Sequence, residues 1–73
     1  MIKMTIQSNT ERKNLIVDEN NTVEEVLGQA GISAAGCAIN LCGYMVTDTT
    51  KTLKELSAPE TAWISLVRAE KNA

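Results

Sequence analysis

The sequence predicts an α+β roll, a mixed sheet of four to five strands with one helix packed across it. Three observations lead there. Residues 17–32, VDENNTVEEVLGQAGI, hold a helix whose start and stop are both marked. The segments before and after it alternate apolar and polar residues at the period of a half-buried strand. Their order, two strands, helix, strand, short strand, strand, closes on itself as a roll. All 73 residues are expected to form a single domain, 1–73. A chain of this length buries only about 60% of its unfolded surface. With no Phe and little aromatic content, its core must be built from Ile, Leu, Val and Met.

Each element has its own warrant. Ile2, Met4 and Ile6 alternate with Lys3, Thr5 and Gln7, which marks a first strand with one face inward. Ser8 to Arg12 is polar and turn-prone, and Asn9 is the residue there suited to a positive φ. Lys13 to Val17 is the return strand, with Leu15 and Val17 inward and Asn14 and Ile16 outward.

Thr22-Val23-Glu24-Glu25 fits a capping box, in which hydroxyl and carboxylate each accept from the other's amide. Val23, Val26, Leu27 and Ala30 follow at helical spacing as one apolar stripe. Gly31 is a left-handed stop, and Ile32 behind it can fold back onto Leu27 or Gly28. Gly28 inside so short a helix costs about 1 kcal/mol relative to Ala, so the helix needs a surface to pack on.

Cys37 to Cys42 alternates again, with Ile39 and Leu41 inward. Gly43-Tyr44 turns the chain into a brief strand around Met45 and Val46. Leu53 and Leu56 anchor a short turn after a polar loop. Trp63 to Arg68 is the last strand, with Ile64 and Leu66 on one face and Trp63, Ser65 and Val67 on the other. The expected core is Ile6, Leu15, Val17, Val26, Leu27, Ile39, Leu41, Leu53, Leu56, Ile64 and Leu66.

Charge and composition narrow the function. A net charge of −2 without a basic stripe argues against a nucleic-acid partner. The N-terminal segment lacks a long apolar run, so neither a signal peptide nor a membrane span is expected, and a cytoplasmic location is. Gly28-Gln29-Ala30-Gly31 is formally a GxxG, but without flanking Lys or Arg it reads as a helix end. Asn20-Asn21-Thr22 matches a glycosylation sequon, with Thr22 better explained as the helix cap.

The chain has no His and only Cys37 and Cys42. Two thiols do not complete a tetrahedral zinc site, and five positions apart on a strand they face opposite ways, so reduced thiols are expected. No cation or base adjoins either one in sequence to lower its pKa. Asp18, Glu19, Glu24 and Glu25 gather at the helix start, where dipole complementarity accounts for them. No catalytic constellation emerges, so neither enzyme activity nor a cofactor is expected.

Several segments resemble the ubiquitin-like family. VDENNTVEEV is similar to its second strand and helix start, including the Thr cap, the next aliphatic residue and the Glu after it. INLCGYMV is similar to its third strand, turn and short fourth strand, with Leu41 at the position of a core Phe. KTLKEL resembles its Arg-Thr-Leu turn, and WISLVRAEKNA its last strand and tail. The likeness covers nearly the whole chain. It implies a β-grasp fold, the helix lying in the concave side of a sheet ordered 2-1-5-3-4.

The departures bear on function. Ubiquitin and the sulfur carriers of the thiamin and molybdopterin pathways are activated through a terminal Gly-Gly, whereas here Glu70-Lys71-Asn72-Ala73 occupies those positions. Asn40 and Ser65 stand where the family's recognition patch has Ile and His, and Val67 alone stays aliphatic. The resemblance is nearer to small bacterial ubiquitin-like proteins without Gly-Gly, such as the one associated with type VII secretion. It implies a protein-interaction subunit rather than a carrier or modifier. The partner is expected to be another protein, and the chain a monomer.

Parity places the candidate binding surface on the sheet face away from the helix. Trp63, Ser65 and Val67 point there, Asn40 and Cys42 neighbour them, and Ile16 adds an apolar group at the edge. Two roles fit Trp63. It can anchor a partner, since Trp is enriched among interface hot spots, or simply lie across its neighbours as a cover.

Overall fold

A computed structural model describes residues 1–68. It contains β1 (Ile2–Gln7), β2 (Arg12–Val17), α1 (Val23–Ala30), β3 (Cys37–Leu41), β4 (Tyr44–Val46) and β5 (Thr61–Arg68). The five strands form one sheet in the order β2-β1-β5-β3-β4. β1 and β5 run parallel at its centre, and every other pairing is antiparallel. The expected order is therefore observed, and residues 69–73, with the Glu70-Lys71-Asn72-Ala73 tail, lie outside the described region.

The helix begins as its sequence demands. Thr22 adopts an extended conformation, its hydroxyl accepts from the Glu25 amide at 3.1 Å, and the Glu25 carboxylate accepts from the Thr22 amide at 2.8 Å. The helix ends at Gly31, in the left-handed region with φ 70°, and the Ile32 amide donates to the Leu27 carbonyl at 3.1 Å. That closing bond turns Ile32 into the core, a use of glycine at a helix end that a Cβ would penalise.

A second box was not anticipated. Thr52 and Glu55 repeat the same reciprocal pattern, with bonds of 3.0 Å to the hydroxyl and 2.8 Å to the carboxylate. It fastens the turn that carries Leu53. The two boxes are joined: Thr22 and Thr52 form an isolated antiparallel bridge, with Val23 donating to Lys51 at 3.1 Å and Leu53 to Asn21 at 2.9 Å. Thr-x-x-Glu recurs in the sequence at 52–55, so the signal was legible.

The carboxylates respond to these bonds. The Glu25 pKa is lowered chiefly by the Thr22 amide, and that of Glu55 by the Thr52 amide. Asp48 is lowered by the Thr50 hydroxyl, which donates to it in the preceding loop.

The core lies between α1 and the inward-facing strand residues. Val23, Val26, Leu53, Ile6 and Ile64 are sealed from solvent. Of the expected core, Leu15 and Leu56 are only partly buried and pack against its rim. Ile2, Met4, Val23, Ala30, Ile32, Val46 and Ala62 join it. Ala62 enters because β5 starts two residues earlier than the apolar pattern suggested, through its parallel pairing with β1. Arg12 likewise belongs to β2, where it pairs with Gln7. Asn9 does not take a positive φ; instead the Ser8 hydroxyl accepts from the Thr10 and Glu11 amides and organises the turn.

Candidate functional site

The register fixes the open face of the sheet row by row. Ile16, Lys3 and Thr61 lie abreast on β2, β1 and β5, and Asn14, Thr5 and Trp63 form the next row. Arg12, Gln7, Ser65, Asn40 and Met45 then cross all five strands, and Val67 pairs with Ala38 beyond them. Directly opposed residues stand about 4.5–5.5 Å apart at Cβ, so each row is a contiguous strip.

Five of the six residues selected from the sequence meet on this face: Trp63, Ser65, Val67, Asn40 and Ile16. Trp63 is 51% exposed on the central strand, and Val67 is 53% exposed two positions further on. Ser65 and Asn40 are a direct cross-strand pair between them. Ile16 is 61% exposed but sits on the edge strand, two strands away from β5.

Cys42 is a correction. It does not extend β3, because Cys42 and Gly43 form a two-residue hairpin turn with φ 51° and 90°, joining Leu41 to its partner Tyr44. Positive φ at both central positions is what a type I′ turn requires. The Cys42 amide still donates to the Trp63 carbonyl at 3.0 Å, but its side chain is partly buried against the core. Both cysteines are free thiols of intermediate exposure.

Met45 was missed, and it is the most exposed apolar group of the face at 67%. It pairs with Asn40, so it borders the Ser65–Asn40 pair on the side opposite Gln7. The alternation in Tyr44-Met45-Val46 carried the signal: with Val46 inward, Met45 must point outward. Ala38, half-buried beside Val67, shares the face as well, and its small side chain gives no signal of its own in the strand's alternation.

Among the described residues no polar or charged side chain is buried. No group of three or more His, Cys, Asp or Glu among them is placed to hold a metal ion. No helix there is long and apolar enough to cross a membrane.

The chain has a ubiquitin-like β-grasp fold, as comparison with solved structures shows. It is similar to a ubiquitin-like protein from Trypanosoma brucei, with a TM-score of 0.70 and 25% identity, covering 94% of this chain and 95% of that one. A ubiquitin from Caldiarchaeum subterraneum matches over 99% of this chain and 98% of its own at TM-score 0.68 and 18% identity. An Arabidopsis thaliana protein matches over 97% and 89% at TM-score 0.72 and 17% identity. No family model matches the sequence, and no curated protein matches it.

Proposed function

We propose that this chain is a non-catalytic, ubiquitin-like protein-interaction module, a small subunit or adaptor of a bacterial system, that binds another protein through the open face of its sheet. One observation carries the reading: Trp63, Val67 and Met45 are each more than half exposed on a face that no other described element covers. Exposing the chain's one Trp at the centre of a sheet, while Ala fills the core position beside it at Ala62, is costly in apolar surface left wet. Trp at the centre of a patch is the commonest kind of interface anchor.

The alternative, a sulfur carrier or protein modifier, rests on the likeness to ubiquitin chains. It needs an activatable Gly-Gly, and the four glycines here, 28, 31, 36 and 43, are never adjacent.

The test is Trp63→Ala. Tagged parent and variant are used to capture partners from the native cell, and both are melted. The variant should lose the partner while its melting temperature moves little. Retained capture, or unfolding, would show that Trp63 is structural.

A further inference from the structure

We infer that the partner presents acidic side chains beside apolar ones, and that Lys3 and Arg12 read the acidic part. The inference rests on the interaction reading above and names the chemistry of what binds there.

Nine of the chain's residues are Asp or Glu against seven Lys or Arg. None of the acids among the described residues occupies an outward position on any strand. The outward positions carry Lys3, Thr5, Gln7, Arg12, Asn14, Ile16, Ala38, Asn40, Met45, Thr61, Trp63, Ser65 and Val67, so the strands of the open face bear two cations and no anion. The described acids instead lie in the loops and at the helix start, with Glu24 and Glu25 in its first turn. A chain that is acidic as a whole thus turns a positive face outward on the side proposed to bind.

The charge is also placed. Lys3 is one strand over and two residues back from Trp63, a diagonal neighbour at about 7–8 Å. Arg12 lies two strands from Ser65 in the row across the sheet. Both cations therefore stand on the β1–β2 side of Trp63, while Ala38 and Met45 stand on the β3–β4 side and Val67 follows Trp63 along β5, paired with Ala38. Beside Lys3, a shallow depression of about 400 Å³ is floored by Thr5, Asn14, Ile16 and Thr61. The Thr5 hydroxyl donates to the Asn14 side-chain oxygen at 2.8 Å, so the acceptor between the two cations is already occupied. A carboxylate arriving there meets donors and positive charge. An apolar side chain arriving on the other half meets methyl and thioether groups. Trp63 spans the boundary.

The experiment uses the purified full chain, immobilised, and a random peptide library displayed on phage. The strongest selected peptide is synthesised, together with a version in which its Asp and Glu become Asn and Gln. Selected sequences should place acids next to aromatic or aliphatic residues. Binding should fall at least tenfold for the amide version, for Trp63→Ala, and for the double variant Lys3→Gln with Arg12→Gln. The charge-preserving pair Lys3→Arg with Arg12→Lys should retain it, which separates charge from folding. Affinity should also weaken at high salt, as charge pairs at a rim do. If the double glutamine variant binds like the parent, or the selected peptides are neutral or basic, or none is selected, the charge inference is overturned. If Trp63→Ala has no effect either, the open-face reading falls with it.

Discussion

The two faces of this sheet are made from the same five strands, yet alternate residues along each strand face opposite surroundings. On the helix side, Met4, Ile6, Val17, Ile64 and Leu66 are almost wholly removed from water, and no polar side chain is buried among them. One residue away on the same strands, Thr5, Trp63, Ser65 and Val67 meet solvent in a mixture of hydroxyl, indole and methyl groups. The closed face accounts for stability by removing apolar surface from water. The open face adds little to that and is the surface proposed for recognition. Changes on the two faces should therefore be separable, and their separation is the way to test this division.

The largest effect is expected in the closed face. Ile64→Ala or Leu66→Ala should destabilise by about 2–5 kcal/mol, since each removes a fully packed side chain and leaves a cavity. A domain of this size has only about 5 kcal/mol in total, so denaturant midpoints should collapse or the chain should fail to fold. A midpoint close to the parent's would mean the core is not where the burial places it.

Next come the two capping boxes on the helix side. Thr22→Ala and Thr52→Ala should each cost about 0.5–2 kcal/mol. Because the boxes are joined by the Thr22–Thr52 bridge, the double variant should depart from additivity. A double-mutant cycle from urea melts measures this, and strict additivity would show that the two caps act independently.

Acid should reach the same region. Glu25, Glu55 and Asp48 have pKa values lowered in the fold by hydrogen bonds from Thr22, Thr52 and Thr50. A carboxylate so lowered binds its proton less readily folded than unfolded. Its stabilising contribution is present above the unfolded pKa and disappears as pH falls through the folded one. Stability should thus decline from about pH 4.3 downward. The pair Glu25→Gln with Glu55→Gln keeps the box geometry and removes the titration, so its stability should vary less with pH there. An acid limb unchanged in slope would assign the acid sensitivity to other groups.

The closed face and the topology were largely legible in the sequence, because they follow from periodicity and from caps with strong local signals. The Thr22 box, Gly31, the Ile64/Leu66 parity and the sheet order all fall into this class. What was not legible depended on non-local pairing. Ala62 is small and gives no pattern signal, and only the parallel register of β5 against β1 buries it. Cys42 fits the strand's alternation, but the hairpin geometry between Leu41 and Tyr44 takes it out. Trp63, Val67, Ser65, Asn40 and Ile16 were brought to one face correctly because parity alone decides their side. Their grouping into a cationic and an apolar half needed the strand order, since Lys3 and Met45 are distant in sequence.

The smallest expected change in stability, and the sharpest contrast, is in β4. Met45 and Val46 are consecutive residues, one 67% exposed on the open face and the other buried against the core. Val46→Thr replaces a buried methyl with a hydroxyl that has no designed partner there, a change that costs about 1–3 kcal/mol. Met45→Thr places the same residue, with good strand propensity, at a position already wet, and should shift stability by no more than about 0.5 kcal/mol. Binding should respond in the opposite sense. Met45 borders the Asn40–Ser65 pair on the apolar half of the face, so Met45→Thr should weaken a peptide selected on the parent chain while the melt is unchanged. Parallel melts and titrations of the two variants decide the matter. If Met45→Thr destabilises as much as Val46→Thr, then β4 is not divided between core and surface, and the open face contributes to holding the fold together.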